Sequence, residues 1–458
     1  MTHNLSEKRR IHVVAAGGAG MSAIATLLTQ QGHIVSGSDQ TDSDSLRKLG
    51  EIGVSTHVGH SPYNVGDAEL IVVSTAVSAD NVEVLEAAHR GIPVLRLIDL
   101  LPELAAVQPF LSVSGTHGKT TTTSMLAVAL ESIGADPSFL IGASVPALGA
   151  AAGYRPGGYL VLEADESDGS FMAGPRAGAI VTNIEADHLE YWGSWEGLLE
   201  GFHEFLSQTD GPRVVCADDR VAMQVAEGLE IVSYGTSPGA TYRMADIHTV
   251  GLSSSFTLTG QGVSHQVELA VPGLHNARNA SAALAMVGAL GMDISAAAAG
   301  LARYSGVSRR FEARGSLRGV QFVDDYAHLP TEVRAALAAA KGGGWGRVIA
   351  TFQLHRYSRT EALWSEFADA FTDADVIVLT EIYSAGEAPR PGISGRLLFD
   401  AVLEAHPSAQ VVWQPSLADA ARYLAAELRE GDMCMSIGAG DITTLSTLVM
   451  AQMDSDDV

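Results

Sequence analysis

Between Ile11 and about Val107, short β-branched runs alternate with longer stretches of helical spacing. IHVVAA precedes a glycine cluster, MSAIATLLTQQG reads as a helix, and HIVSGSD and LIVVST read as further strands. Short buried strands separated by helices predict βαβ units and a parallel sheet. The pattern starts again at FLSVSGTHGKTTTTSMLAVALESIG as strand, glycine turn and helix, and continues in the buried runs YLVLEAD and AGAIVTNI. From Val214 to about Val271 the runs are short and β-like, and the alanine-rich helix ARNASAALAMVGALG follows. A third unit opens near Arg309, where GVQFVDDYA, GRVIATFQ, DADVIVLTEI and DMCMSIGAG are four strands with helices between them. The expected fold class is α/β in three domains, residues 1–107, 108–308 and 309–458. Met21, Met125 and Met286 sit on helical apolar patterns and are expected in the core. The last residues, MDSDDV, are expected to form a frayed acidic tail.

Charge narrows the function classes. The 458-residue chain carries a net charge of -25, which works against contact with phosphate polymers and against a polybasic membrane patch. Neither nucleic acid nor a membrane is expected as a partner. Anionic small substrates fit only where local Lys, Arg or helix N-termini overcome the global field. Cys216 and Cys434 are too few for a disulfide framework and suit a reducing compartment. No stretch offers the roughly 20 uninterrupted apolar residues of a membrane span. A soluble cytoplasmic protein is expected.

The sharpest motif is Ser114-Gly115-Thr116-His117-Gly118-Lys119-Thr120, between an apolar strand and a helix. Backbone N–H groups there cradle phosphate oxygens, and the helix dipole favours the anion. Lys119 would reach the β/γ-phosphates and Thr120 would coordinate Mg²⁺. The usual spacing places glycine where this chain has Val113, so the motif is a shorter variant of the P-loop. The bland alternative is an ordinary glycine turn ahead of a threonine-rich helix. Metal ligands are expected at the carboxyl ends of neighbouring strands. Glu163, Asp165, Glu166 and Asp168 end one strand, and Glu185, Asp187 and His188 end the next; helix caps and solvated turns are their plainer reading.

Ala15-Ala16-Gly17-Gly18-Ala19-Gly20 follows the first strand and is similar to a dinucleotide fingerprint with alanine in the first glycine position. Asp39 lies about 20 residues on, near the ribose-reading position. A tight turn without a ligand is the alternative. Two nucleotide-type loops suggest one nucleotide as energy source and another as a substrate handle. In the third unit, Asp324-Asp325-Tyr326-Ala327-His328 ends a strand and His355-Arg356-Tyr357-Ser358-Arg359 follows another. Arg356 and Arg359 are close enough in sequence to clamp one carboxylate or phosphate; a surface turn with ion pairs is the alternative. His33, His57, His60, His89 and His203 have no partner spacing and are read as structural or solvent-facing.

In this order the motifs resemble the Mur ligases, ATP-dependent amide-forming enzymes of peptidoglycan precursor synthesis. The specific pieces are SGTHGKTTTT at 114–123, EADESDGSF at 163–171, TNIEADHLEYWG at 182–193 and GLHNARNASAA at 273–283. RRFEARG at 309–315, DDYAH at 324–328, HRYSRT at 355–360 and AGEAPRPGISG at 385–395 extend it along nearly the whole chain. The resemblance implies a Rossmann-like UDP-binding first domain, a central P-loop ATPase-type α/β domain and a C-terminal Rossmann-like α/β domain that closes over them. It implies joining of L-alanine to the lactyl carboxylate of UDP-N-acetylmuramate through an acyl phosphate, with ATP and Mg²⁺ as cofactors and Mn²⁺ as a substitute. A monomer or weak homodimer is expected.

By the same resemblance, Gly115, Thr116, His117, Gly118, Lys119, Thr120 and Thr121 bind ATP, and His275, Asn276 and Asn279 match the adenine segment. Thr120 and Glu163 hold one metal and His188 a second. Arg310 approaches the phosphates. Tyr326, His328, Arg356 and Arg359 match residues around the muramate carboxylate and the amino acid. Gly18, Ala19, Gly20, Met21, Ser22, Asp39, Ser74 and Ala76 match the uridine-nucleotide surface. Lys119, His188, Arg310, His328, Arg356 and Arg359 are the catalytic set. The chain departs from the family pattern at Ala15, where glycine is usual, at Leu329, where a second histidine is usual, and at Leu354, where proline is usual. The last two are expected to fall where the amino acid sits. Three other readings stay open: a recycling ligase that adds a whole tripeptide, an NAD-dependent oxidoreductase built on the first loop, and a silent nucleotide-binding homologue.

Overall fold

The computed structural model describes residues 4–74 and 76–455. They form two compact units: residues 1–245, 257–267 and 278–304, and residues 246–256, 268–277 and 305–458.

The first unit opens with a five-stranded parallel sheet in the order Ser55–Val58, Ile34–Asp39, Arg10–Val14, Leu70–Val73, Val94–Arg96. Its two outer strands escape the hydrophobic pattern because they are short edge strands, largely half-buried or exposed. The helix Ala19–Gln30 follows the first strand and buries Ile24, Leu27 and Leu28.

A ten-stranded sheet follows. At its centre Phe110–Ser114 lies between Arg176–Val181 and Leu160–Glu163, all parallel. Parallel strands covered on both faces read as continuous apolar runs, and every residue of Phe110–Ser114 is buried. Beyond Leu160–Glu163 come Ser138–Val145 and, antiparallel to it, the edge strand Ala150–Gly153. Neither was expected from the sequence. The helix Lys119–Ser132 is buried on all sides from Thr121 to Leu130, as expected of a core helix.

The first two sheets share one core. Ile24, Leu27 and Leu28 cluster with Leu140, Ala152 and Leu160 of the second sheet, and Tyr154 N donates to Gln30 Oε1 at 2.7 Å. The helix that begins at the first glycine loop therefore rests on the edge of the second sheet.

The second unit holds a six-stranded sheet in the order Glu312–Leu317, Val320–Asp325, Asp432–Ile437, Arg347–Phe352, Val376–Leu379, Gln410–Trp413. Only the first pair is antiparallel. Successive strand residues divide between two clusters: Val323, Ala350 and Met433 in one, Phe322, Ile349 and Cys434 in the other. The outer strands Glu312–Leu317 and Gln410–Trp413 were not expected; both are mostly polar or half-exposed.

Met21, Met125 and Met286 are buried, as are Cys216 and Cys434. The expected tail is corrected in part: the helix Leu445–Ser455 takes in its first residues, and residues 456–458 lie outside those described. Among the described residues no helix is long and apolar enough to cross a membrane.

Candidate active site

The loop after Phe110–Ser114 is clamped by the residues that end Arg176–Val181. Thr116 N donates to Asn183 O and His117 N to Asn183 Oδ1, both at 2.9 Å. Thr182 Oγ1 and Asn183 Nδ2 both donate to His117 O, and Glu185 N donates to Thr116 Oγ1. Gly115 has φ 128°, and a Cβ there would lie 2.2 Å from Thr182 Oγ1. Only glycine fits that approach.

The amides of Thr116 and His117 were expected at the phosphates, and here they anchor the loop. The helix supplies the remaining donors. Its first internal bond runs from Thr122 N to Gly118 O, so the amides of Lys119, Thr120 and Thr121 point outward from its first turn, where anions bind.

Lys119 Nζ lies 2.9 Å from both carboxylate oxygens of Glu166 and 2.8 Å from Gly115 O. Burial disfavours the ammonium, but the charges of Glu166 and Asp165 outweigh it and raise the pKa. Thr120 Oγ1 donates to Glu163 Oε1 at 2.7 Å, and Gly142 N fixes the other Glu163 oxygen. Two hard oxygens side by side suit Mg²⁺.

The acidic run is thus divided, and the wider clusters do not converge as expected. Glu163 meets Thr120, Glu166 meets Lys119, and Asp165 and Asp168 accept from the turn amides of Ser167 and Ser170. Glu185 faces the His117 ring at 3.1 Å. His188 lies 3.4 Å from Asp187 and 3.7 Å from Glu190, with φ 54°. Among the described residues no group of three or more His, Cys, Asp or Glu side chains is arranged to hold a metal ion by itself. A metal here would take Thr120 and Glu163 together with phosphate oxygens.

Asn279 Oδ1 would lie 2.7 Å from a Cβ on Gly118, so its carboxamide packs on the loop. Asn276 lies in the second unit, where its Nδ2 donates to Pro272 O. His275 stands beside Gly273.

At the first glycine loop, Ala15 takes φ 61°, the conformation that glycine usually supplies. Gly17 N donates to Asp39 Oδ2 at 2.9 Å, and Thr41 donates to the other oxygen. Asp39, expected to read a ribose, also braces the loop. Ser22 N bonds Gly18 O, leaving the amides of Ala19, Gly20 and Met21 at the helix start. Met21 was placed on the substrate surface, but its side chain lies in the core and only its amide is available. Ala76 N donates to Ser74 Oγ.

In the second unit, Tyr326, His328, Arg310 and Arg359 are drawn together. Arg310 lies over the Tyr326 ring at 5.2 Å and 3.6 Å from Glu332. Tyr326 and His328 meet edge to face, and His328 lies 6.2 Å from His355. Arg359 bonds His355 Nδ1 at 3.1 Å, and Tyr383 stacks on His355. Burial and the neighbouring charges of Arg359, His328 and Arg356 push His355 down to about 4, so its imidazole is neutral at pH 7. Glu332 accepts from the amides of His328 and Leu329.

Glu332 and Tyr383 were absent from the expected site; Glu166 was expected among the metal ligands and meets Lys119 instead, and His355 was named only as the start of the segment that carries Arg356 and Arg359. Arg356 is exposed at the start of Tyr357–Leu363 with φ 70°. Arg309 braces the loop after Asp432–Ile437, donating to Gly438 O and Gly440 O. Leu354 is 3% exposed and its side chain packs in the core with Phe352, while its carbonyl accepts from Tyr383 N at 2.8 Å. Leu329 is half-buried before Pro330–Gly342.

These features define a nucleotide-binding α/β protein, with a glycine loop, a lysine and a threonine–carboxylate pair at the carboxyl edge of a parallel sheet. Three family models match the chain: the Mur ligase family catalytic domain at residues 10–108, the Mur ligase middle domain at 113–287 and the Mur ligase glutamate ligase domain at 309–440. A UDP-N-acetylmuramate–L-alanine ligase of Desulforamulus reducens is 40% identical, covering 97% of this chain and 98% of its own. One of Kineococcus radiotolerans is 44% identical, covering 96% and 95%. The solved UDP-N-acetylmuramate–alanine ligase of Thermotoga maritima superposes with a TM-score of 0.82 at 27% identity, over 98% of this chain and all of its own. The chain belongs to the Mur ligase family.

Proposed function

We propose that the chain joins L-alanine to the lactyl carboxylate of UDP-N-acetylmuramate at the expense of ATP, in the cytoplasm, as a monomer or weak homodimer. The observation that carries this reading is the match, over nearly the whole length, to relatives of 40–44% identity that bear that one activity in their names.

A lactyl carboxylate oxygen attacks the γ-phosphorus of ATP, the bond to the β,γ-bridging oxygen breaks, and ADP leaves. The alanine amine then attacks the acyl-phosphate carbonyl, the nitrogen loses a proton, and inorganic phosphate departs. The protein's part is positioning and charge neutralisation. Lys119 and the amides of Lys119, Thr120 and Thr121 take the phosphates, with Asn276 and Asn279 toward adenine. Ala19, Gly20 and Met21 offer amides to the uridine nucleotide. Arg310, Tyr326, His328, Arg356 and Arg359 are assigned to the carboxylate and the amino acid. Thr120 and Glu163 would hold Mg²⁺, with His188 toward a second ion and Mn²⁺ as a substitute; the metal supplies neutralisation of phosphate charge.

The test is phosphate release from Mg-ATP and UDP-N-acetylmuramate, with L-alanine, with the tripeptide, or with neither. Release that requires L-alanine is expected. Release only with the tripeptide would move the chain to precursor recycling, and no release despite tight nucleotide binding would leave a silent homologue.

A further inference from the structure

The phosphate loop holds its backbone and its lysine by different partners. Its backbone is pinned by Thr182, Asn183 and Glu185, and Gly115 is wedged against Thr182. The Lys119 side chain instead folds back over the loop, shared between Gly115 O and the two Glu166 oxygens.

Glu166 is 2% exposed and is seated by its own backbone: its carbonyl accepts from Trp192 Nε1 at 3.0 Å and from Gly169 N. Among the described residues, Lys119 is the only side chain bonded to its carboxylate. A carboxylate and a triphosphate compete for the same ammonium, because each is an oxyanion and Lys119 is the only lysine of the loop.

We infer that Glu166 is a positioning residue that holds Lys119 in the ligand-free enzyme and yields it to the β-phosphate when nucleotide binds. This rests on reading residues 115–121 as the nucleotide phosphate site. The pair keeps a buried ammonium neutralised and the lysine ordered, and it weakens nucleotide binding by the strength of the bond that must be exchanged. Such a latch lets ADP leave after turnover: the lysine has a partner to return to. A loop whose lysine had no partner would hold ADP more tightly and turn over more slowly.

The test is titration calorimetry of ADP, and of AMP as a control, on the full chain and on Glu166→Gln. AMP lacks the phosphate that Lys119 reaches. Glu166→Gln is expected to bind ADP roughly tenfold more tightly, about 1.4 kcal/mol, with AMP affinity unchanged. Removing one member of a buried ion pair is strongly destabilising, so Glu166→Asp serves as a second variant. It keeps the charge but withdraws it by one methylene, and a tightening of about threefold is expected. Unchanged or weaker ADP binding in folded variants would overturn the inference, as would equal tightening toward AMP. Failure of the unmodified chain to bind ADP would instead remove the phosphate-site reading on which it rests.

Discussion

The two glycine loops begin alike and diverge at two residues. Each follows a buried parallel strand, each starts its helix after a glycine, Gly18 or Gly118, and each leaves three amides at the helix N-terminus. At the second loop the next residue is Lys119, and the brace across the loop is the neutral Asn183. At the first loop the next residue is Ala19, and the brace is the anionic Asp39. A lysine with a neutral brace favours a highly charged polyphosphate. A loop with no cation and a carboxylate at its side favours a ligand that donates hydroxyls beside a diphosphate. On the proposed assignment, the same local architecture serves two nucleotides according to what surrounds it.

The largest expected effect lies at the second loop. Lys119→Ala removes the cation and leaves Glu166 buried without its partner, so turnover should fall by about a thousandfold or more, as expected when a charge-neutralising group is lost from phosphoryl transfer. Binding of UDP-N-acetylmuramate should persist, because the first loop has no part in that change. Phosphate release and calorimetry on the same preparation check both halves. Near-normal turnover in a folded variant would remove the distinction between the loops.

Much of this site is contiguous, and that is why it could be read from the chain. SGTHGKT carries its turn, cation and helix start in seven consecutive residues. The contacts that went unread act across the fold. Asn183 and Glu166 come from the ends of other strands, and nothing near Lys119 in sequence identifies which acid of EADESD it will meet. His355 and Tyr383 meet through a bridge between two strand extensions. The burial of the Leu354 side chain does have a signal in the sequence. Phe352 and Leu354 are two apart, so strand alternation puts both on the core face while Gln353 between them bonds Asp441 and the amide of Ile442. The shortest edge strands were missed because three or four half-exposed residues leave too little pattern to read.

An intermediate effect is expected from the brace of the first loop. Asp39→Ala frees the Gly17 amide and removes the carboxylate assigned above to the side of the sugar nucleotide. The KM for UDP-N-acetylmuramate should rise roughly tenfold, equivalent to about 1.4 kcal/mol, with kcat and the KM for ATP nearly unchanged. Steady-state kinetics in each substrate separates these. A rise in the ATP value instead would show that Asp39 serves the other nucleotide and would reverse the assignment of the two loops.

The smallest effect concerns Ala15, where the first loop pays a conformational penalty that the second avoids with Gly115 and Gly118. Alanine in the left-handed region is strained by roughly 1–2 kcal/mol, and Ala15 at φ 61° sits there. Glycine relieves that strain but enlarges the entropy of the unfolded chain, opposing the gain by about 0.4–1 kcal/mol. The balance favours Ala15→Gly by roughly 0.5 kcal/mol, a rise in Tm of about 1 °C, measurable by calorimetry with the unmodified chain alongside. The gain should come without a change in turnover, because Ala15 contributes backbone shape: its carbonyl accepts from Gly18 N at 3.2 Å. A lower Tm would mean that the left-handed turn is held by its surroundings with little strain, and that alanine is here as good a turn residue as the glycine at the second loop.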